Sequence, residues 1–377
     1  MSREQGPAKR DATGSESPPA ADTLAGRALQ PMQGGGGVSR EQGPAKRDAT
    51  GSESPPAADT LTGRALQPMQ GGGGVSREQG PAKRDATGSE SPPAADTLAE
   101  HFAAFSFVDR ITELEPAKRA RGVFAIPSGI GEFPRCLIAE AVGQLAAWVS
   151  MSAIEYRGRP VAALAAETRF FGDVRPGETL SLGVEIDSCD DEAVAYGGWA
   201  NVGGKRVLEL AHCLGPMLPA ADFDAPEALR ERFALLCGAG APAGRFHGVQ
   251  LPTPEVIRHE PGRSIAARLQ VPAAAPFFAD HFPRRPVFPA TLLLDAQIRL
   301  ATRLVREAST GGEGELGLQR MTNVKVRSFT PPGQALELGA EATVRNDGLR
   351  VALSASAAGK SVATARVEFG RATVFAS

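Results

Sequence analysis

The chain has 377 residues, enough for two or three domains by a soft size prior, and carries 41 Lys and Arg against 43 Asp and Glu. Residues 1–100 hold 11 basic and 13 acidic side chains and the remainder 30 of each, so neither part offers the basic footprint of a nucleic-acid binder. Cys136, Cys189, Cys213 and Cys237 have no short paired spacing, which suggests neither a disulfide framework nor a metal site; with no leader-like segment and no apolar run long enough to span a bilayer, a cytoplasmic protein is expected.

Residues 1–100 contain no Phe, Trp or Tyr and are rich in Pro, Gly, Ser and Ala. Such a segment cannot bury enough apolar surface to offset its ordering entropy, so a disordered tail is expected. It is itself a tandem repeat: Ser2 to Gly37 recurs as Ser39 to Gly74 with one internal change, Ala25 to Thr62, and a third copy starts at Ser76.

Beyond residue 100, segments 105–115 and 119–126 read as strands. Segment 136–152 carries Leu137, Ile138, Ala141, Val142, Leu145, Ala146, Trp148 and Val149 nearly all round, the pattern of a buried helix. Alternation then predicts strands at 161–171, 179–187, 193–201 and 205–213, broken by Arg175-Pro176-Gly177 and Gly203-Gly204. A short amphipathic helix at 225–236 and a flexible linker at 238–244 follow. The second half reads as a helix over 290–308 and strands at 317–329, 335–344, 348–357 and 361–369. Each half is therefore expected to be an antiparallel sheet wrapped on one central helix, an α+β arrangement.

The two halves match. Pro134 lies six residues before Glu140, as Pro289 lies six before Asp295, and the acids are 155 residues apart; Arg175-Pro176-Gly177 and Pro331-Pro332-Gly333 are 156 apart at the glycine. A repeat this long means a duplicated domain, since solenoid periods are far shorter. The expected organisation is a tail (1–100), a first unit (101–222), a linker with a short helix (223–244) and a second unit (245–377). One motif is unique to the second unit: His281 stands fourteen residues ahead of Asp295, with Pro283, Pro286 and Pro289 forbidding a helix between them until Ala290. The 155-residue offset puts Ile126 where the first unit would hold this histidine.

The stretch Ala279-Asp280-His281-Phe282-Pro283 resembles the active-site segment of the bacterial hotdog-fold dehydratases that act on 3-hydroxyacyl thioesters carried by acyl carrier protein. Phe107-Val108-Asp109-Arg110-Ile111-Thr112-Glu113-Leu114-Glu115-Pro116 is similar to that family's opening strand, and the likeness spans roughly residues 102–374 as a tandem pair, a double hotdog. Arg284 and Ala290 depart from the family, which usually has glycine there. The resemblance implies a site across the interface of the two units, His281 as base from one and Glu140 as acid from the other, and one competent site per chain. Asp295, a possible second acid, is left facing the position without a histidine. Ala290, Gln144, Phe282 and Pro289 are the implied substrate-binding residues, and Gln297 also lies on the second helix. No metal or cofactor is implied. The expected partner is an acyl carrier protein or coenzyme A thioester, and the chain would work as a monomeric pseudo-dimer or a homodimer.

The chemistry suits these residue types. Dehydration needs a base for the C2 proton, an acid for the departing C3 hydroxyl, and donors for the enolate-like oxygen. Imidazole titrates near neutrality, a carboxyl on an apolar helix suits the acid, and the helix N-terminus after Pro289 presents free N–H groups. A thioesterase that activates water with a carboxylate, or a non-catalytic acyl-binding module, are the alternatives. His101, His212, His247 and His259 lack any motif, Arg284 and Arg285 read as solvated loop residues, and Trp148 and Trp199 as core.

Overall fold

In the computed structural model, residues 102, 104–242, 245–309, 316–345 and 348–371 are described; the 37-residue repeats and the expected tail lie outside them. The elements run β1 Arg110–Glu115, β2 Arg119–Ala125, α1 Arg135–Ala153, β3 Gly158–Pro160, β4 Leu164–Phe170, β5 Thr179–Cys189, β6 Ala193–Val202, β7 Lys205–Pro219, α2 Pro226–Cys237, β8 Glu255–Glu260, β9 Ser264–Gln270, α3 Ala290–Ala308, β10 Leu316–Val326, β11 Ala335–Arg345, β12 Gly348–Ala357 and β13 Lys360–Arg371.

Twelve strands pair in the order β1-β2-β5-β6-β7-β4-β10-β13-β12-β11-β9-β8, every neighbouring pair antiparallel, with β3 added on β7. Read from either end, the order is the same in each half: two strands, a helix, then four strands of which the first lies innermost. Each half is a hotdog, its sheet curled on α1 or α3. The halves join at β4 and β10, where Glu167 pairs with Thr322, the residue 155 positions on. The offset seen between the acids is thus the pseudo-two-fold relation of the sheet.

Both long helices begin at a proline, Pro134 (φ −58°) and Pro289 (φ −58°), which pre-sets the backbone and forgoes an N–H. Helix α1 stops after Ala153, where Glu155 and Tyr156 adopt positive φ (56° and 62°). Leu137, Ile138, Ala141, Val142, Leu145, Ala146 and Val149 on α1 are fully buried, packed on β2, β5 and β6. Burying each of the larger ones contributes about 1.5–3 kcal/mol before entropy is subtracted. The remaining stripe, Ala139, Glu140, Gly143, Gln144, Ala147 and Trp148, recurs at the i, i+3/i+4 spacing of one helix face and stays only half-buried. The second face does not pack on sheet; it borders a cavity.

Helix and sheet approach closely at Gly198 on β6, where an added Cβ would meet Val142 Cγ1 at 2.6 Å and the Gly183 carbonyl oxygen at 2.7 Å. Gly198→Ala is expected to destabilise the protein by about 1–3 kcal/mol through overpacking, read as a lowered denaturation midpoint; an unchanged midpoint would mean the α1–β6 contact is loose.

Several expectations need correction. The first strand begins at Arg110, not at 105: residues 105 and 107 are tied by Gln144, and Asp109 Oδ2 accepts the Ala125 amide at 2.6 Å, so side chains replace ladder bonds there. Strand β7 runs six residues past 213, because Gly215, Pro216 and Met217 still pair with β6 or the unforeseen β3. Helix α1 is by length and composition apolar enough to cross a membrane, contrary to the reading that no such run exists; in this fold it is a sheet-wrapped core helix. Trp199 is not core, since it lies between the guanidinium groups of Arg121 and Arg206, 4.5 Å and 4.9 Å from its ring centroid. Within the expected linker, the Ala241 amide donates to the Asp109 carbonyl at 2.7 Å, which anchors that stretch beside β1; residues 243–244 lie outside the described residues.

Candidate active site

His281 sits just after a short 3-10 turn, Pro276–Ala279, on the proline-interrupted loop leading to α3. Three bonds hold it. Its amide donates to the Phe277 carbonyl (2.9 Å), its carbonyl accepts the Val287 amide (3.0 Å), and its Nδ1 lies 2.9 Å from the Val287 carbonyl. A carbonyl cannot donate, so Nδ1 carries the proton and Nε2 keeps its lone pair. The ring stacks on Phe282 (centroids 4.2 Å apart) and meets the edge of Phe105 (5.4 Å). The preceding Asp280 accepts the amides of Ala104 and Phe105 at 3.0 and 2.8 Å, fastening the loop to the first half. Burial holds the imidazole below its ordinary 6.5, against the opposing pull of Glu140.

Glu140 comes from the cavity-facing stripe of α1. Gln144, one turn on, donates from Nε2 to Glu140 Oε1 (3.0 Å) and to the Phe105 carbonyl (2.9 Å), while its Oε1 accepts the Phe107 amide (2.8 Å). Across the interface, the Thr291 hydroxyl from α3 donates to Glu140 Oε2 at 2.9 Å. The carboxyl is therefore oriented by one residue from each half. His281, Glu140, Gln144, Phe282, Ala290 and Thr291 all line one cavity of about 220 Å3. Pro289 is buried as the N-cap of α3, and the amides of Ala290 and Thr291 have no backbone acceptor among the described residues. Those amides are the donors that a thioester carbonyl needs.

The pseudo-symmetric position holds a different set. Ile126, buried, replaces His281; Cys136 replaces Thr291; Asp295 replaces Glu140; and Arg299 replaces Gln144. Arg299 Nε donates to Asp295 Oδ2 at 2.7 Å and also pairs with Glu132. Burial pushes the Asp295 carboxyl up and the Arg299 contact pulls it down, with burial the larger. A guanidinium bound to the carboxyl, with no imidazole opposite, leaves no proton-transfer pair. Asp295→Asn is expected to retain wild-type turnover while costing about 1 kcal/mol of stability for the lost charge-assisted bond; a loss of turnover matching that of a Glu140 variant would show Asp295 to be an acid in use.

Gln297 is fully buried, neither its Oε1 nor its Nε2 finds a partner among the described residues, and it does not line the cavity. Arg284 donates to the Ala221 carbonyl (3.0 Å), and Arg285 lies over the Phe223 and Phe329 rings. His259 binds Glu307 (2.7 Å) and Arg303 (3.2 Å) at the sheet edge. Thr291 and Arg159 are among the cavity residues missed from sequence. Thr291 could have been found by applying the 155-residue offset to the helix start, but Arg159, on the three-residue β3, carries no sequence signal.

Residues 257–366 match the ApeI-like family, described as ApeI dehydratase. The chain is 32% identical over 117 residues to the 3-hydroxyacyl-[acyl-carrier-protein] dehydratase FabZ of Ruminiclostridium cellulolyticum, covering 30% of this chain and 82% of that protein. Among solved structures, a putative oleoyl thioesterase from Lactobacillus plantarum matches with TM-score 0.46 and 10% identity, over 68% of this chain and 97% of that one. The H959F variant of the PpsC dehydratase domain from Mycobacterium tuberculosis matches with TM-score 0.43 and 15% identity, over 71% and 99%. The class defined by fold and sequence is a hotdog hydro-lyase. The chain belongs to the FabZ-type 3-hydroxyacyl-[acyl-carrier-protein] dehydratase family.

Proposed function

We propose that the chain interconverts 3-hydroxyacyl and 2-enoyl thioesters at one site per chain, with His281 from residues 245–377 as the base and Glu140 from residues 101–222 as the acid. The observation that carries this reading is the fixed tautomer of His281: with Nδ1–H committed to the Val287 carbonyl, Nε2 is free to take a proton. In dehydration, Nε2 removes the C2 proton, the Ala290 and Thr291 amides stabilise the enolate-like oxygen, and electrons return to expel the C3 hydroxyl. Glu140 protonates it, and water leaves. In hydration the steps reverse. The Gln144 amide and the Thr291 hydroxyl both donate to Glu140 and so orient the carboxyl toward the water it would activate. For dehydration the Thr291 hydroxyl can turn and accept, since a hydroxyl does both.

The carrier is proposed to be acyl carrier protein, with coenzyme A thioesters as the simpler assay substrates. The deciding experiment follows an enoyl thioester with the purified protein. Loss of enoyl absorbance without release of thiol supports the reading. Thiol release at the same rate as substrate loss replaces it with hydrolysis.

A further inference from the structure

Arg159 is a half-buried cation with no ion-pair partner among the described residues. It lies on β3, lines the same cavity as His281 and Glu140, and its guanidinium carbon sits 4.2 Å from the Phe282 ring centroid. Its Nη1 is sealed from solvent with no hydrogen-bond acceptor, and the guanidinium forms no hydrogen bond or ion pair among the described residues. Three carboxylates act on it electrostatically, but each is engaged elsewhere. Asp224 pairs with Arg232, Glu140 takes Gln144 and Thr291, and Asp280 takes two backbone amides. Burial and the neighbouring Arg232 pull the guanidinium down to about 10, which still leaves it charged at neutral pH. A desolvated charge without a partner is costly, and an apolar side chain would fill that wall more cheaply.

We propose that Arg159 binds a carboxylate carried on the acyl chain of the substrate, making this site selective for acidic acyl groups over plain alkyl ones. The inference rests on the dehydratase reading above and names its substrate class. A planar guanidinium is matched to a carboxylate, which it can hold by two parallel bonds. Distance selects the acyl chain over the other anion a carrier substrate offers, the phosphate of its pantetheine arm. Phe282 lies 4.2 Å from the His281 ring and 4.2 Å from the Arg159 guanidinium carbon, so the guanidinium is at most those two steps from the imidazole. An extended pantetheine arm separates sulfur from phosphorus by roughly 15 Å, at the per-bond reach of an extended chain. A carboxylate a few carbons beyond C3 fits the shorter span.

The test compares 2-enoyl thioesters of six, eight and ten carbons ending in methyl with the same chains ending in carboxylate, each as the pantetheine and the 4′-phosphopantetheine thioester. Wild-type protein is expected to prefer the carboxylate at one or more lengths by at least tenfold in kcat/KM, carried by KM. Arg159→Met should abolish that preference and Arg159→Lys retain part of it. Equal kcat/KM for methyl and carboxylate ends at every length overturns the proposal, whatever the variants do. A preference that follows the phosphate instead, and is lost in Arg159→Met, overturns it as well. Failure of the wild type to hydrate any of these substrates would count against the dehydratase reading; hydration of both kinds without discrimination would remove only the role of Arg159.

Discussion

His281→Ala is expected to lower kcat/KM for enoyl-thioester hydration, and for the reverse dehydration, by about 10²–10⁴-fold, the usual contribution of a positioned general acid or base. The fold should survive. The loop bonds of residue 281 run through its amide to Phe277 and its carbonyl from Val287, and both are kept in alanine. What disappears is the one side-chain bond it makes among the described residues, Nδ1 to the Val287 carbonyl, and the ring stacked on Phe282. The same imidazole sets the acid side of the dehydration profile. Base work needs the neutral ring, and burial holds its pKa below 6.5. As pH falls, the rate should therefore persist through 6.5 and drop only below it, as the ring gains a proton. An acid limb centred above 6.5, or equal rates in wild type and variant, would remove His281 from the chemistry.

Glu140→Gln is the second large effect, with an expected loss of about 10²–10³-fold in turnover and little change in stability. The amide keeps the size of the carboxyl and can still accept the Thr291 hydroxyl bond, so cavity and helix contact are preserved. It cannot deliver or take a proton. The variant thus separates proton transfer from orientation, and a loss below tenfold would show that Glu140 only places the substrate. Comparison with Asp295→Asn makes the result specific, because the two acids are related by the internal repeat and differ in what surrounds them. One has Gln144, Thr291 and a histidine across the cavity; the other has Arg299 bound to it and Ile126 opposite.

The elements most legible in sequence were those with the strongest apolar pattern. Helices α1 and α3 lay within one residue of their expected bounds, since a long apolar run in α1, a broad apolar face in α3 and a proline at each start leave few alternatives. Strand β12 matched its expected bounds because alternation and flanking turns agreed. Segment 105–109 alternates like a strand and is not one; the Gln144 and Asp280 side chains take the amides that a neighbouring strand would have taken. Trp199 misled in the same way, because an indole can be covered by two guanidinium groups as well as by a core.

The sequence by itself determined the duplication, the central helices, the one histidine that sits in a motif and the unequal pair of acids, all of which are carried by local pattern and by the 155-residue offset. Only the tertiary structure decided that the β4–β10 pairing brings the halves together so that Thr291 of one reaches Glu140 of the other. It alone placed Arg159 one aromatic ring away from the imidazole. The reason is physical: a contact between residues more than a hundred positions apart depends on how two sheets join edge to edge, and no periodicity along the chain records that.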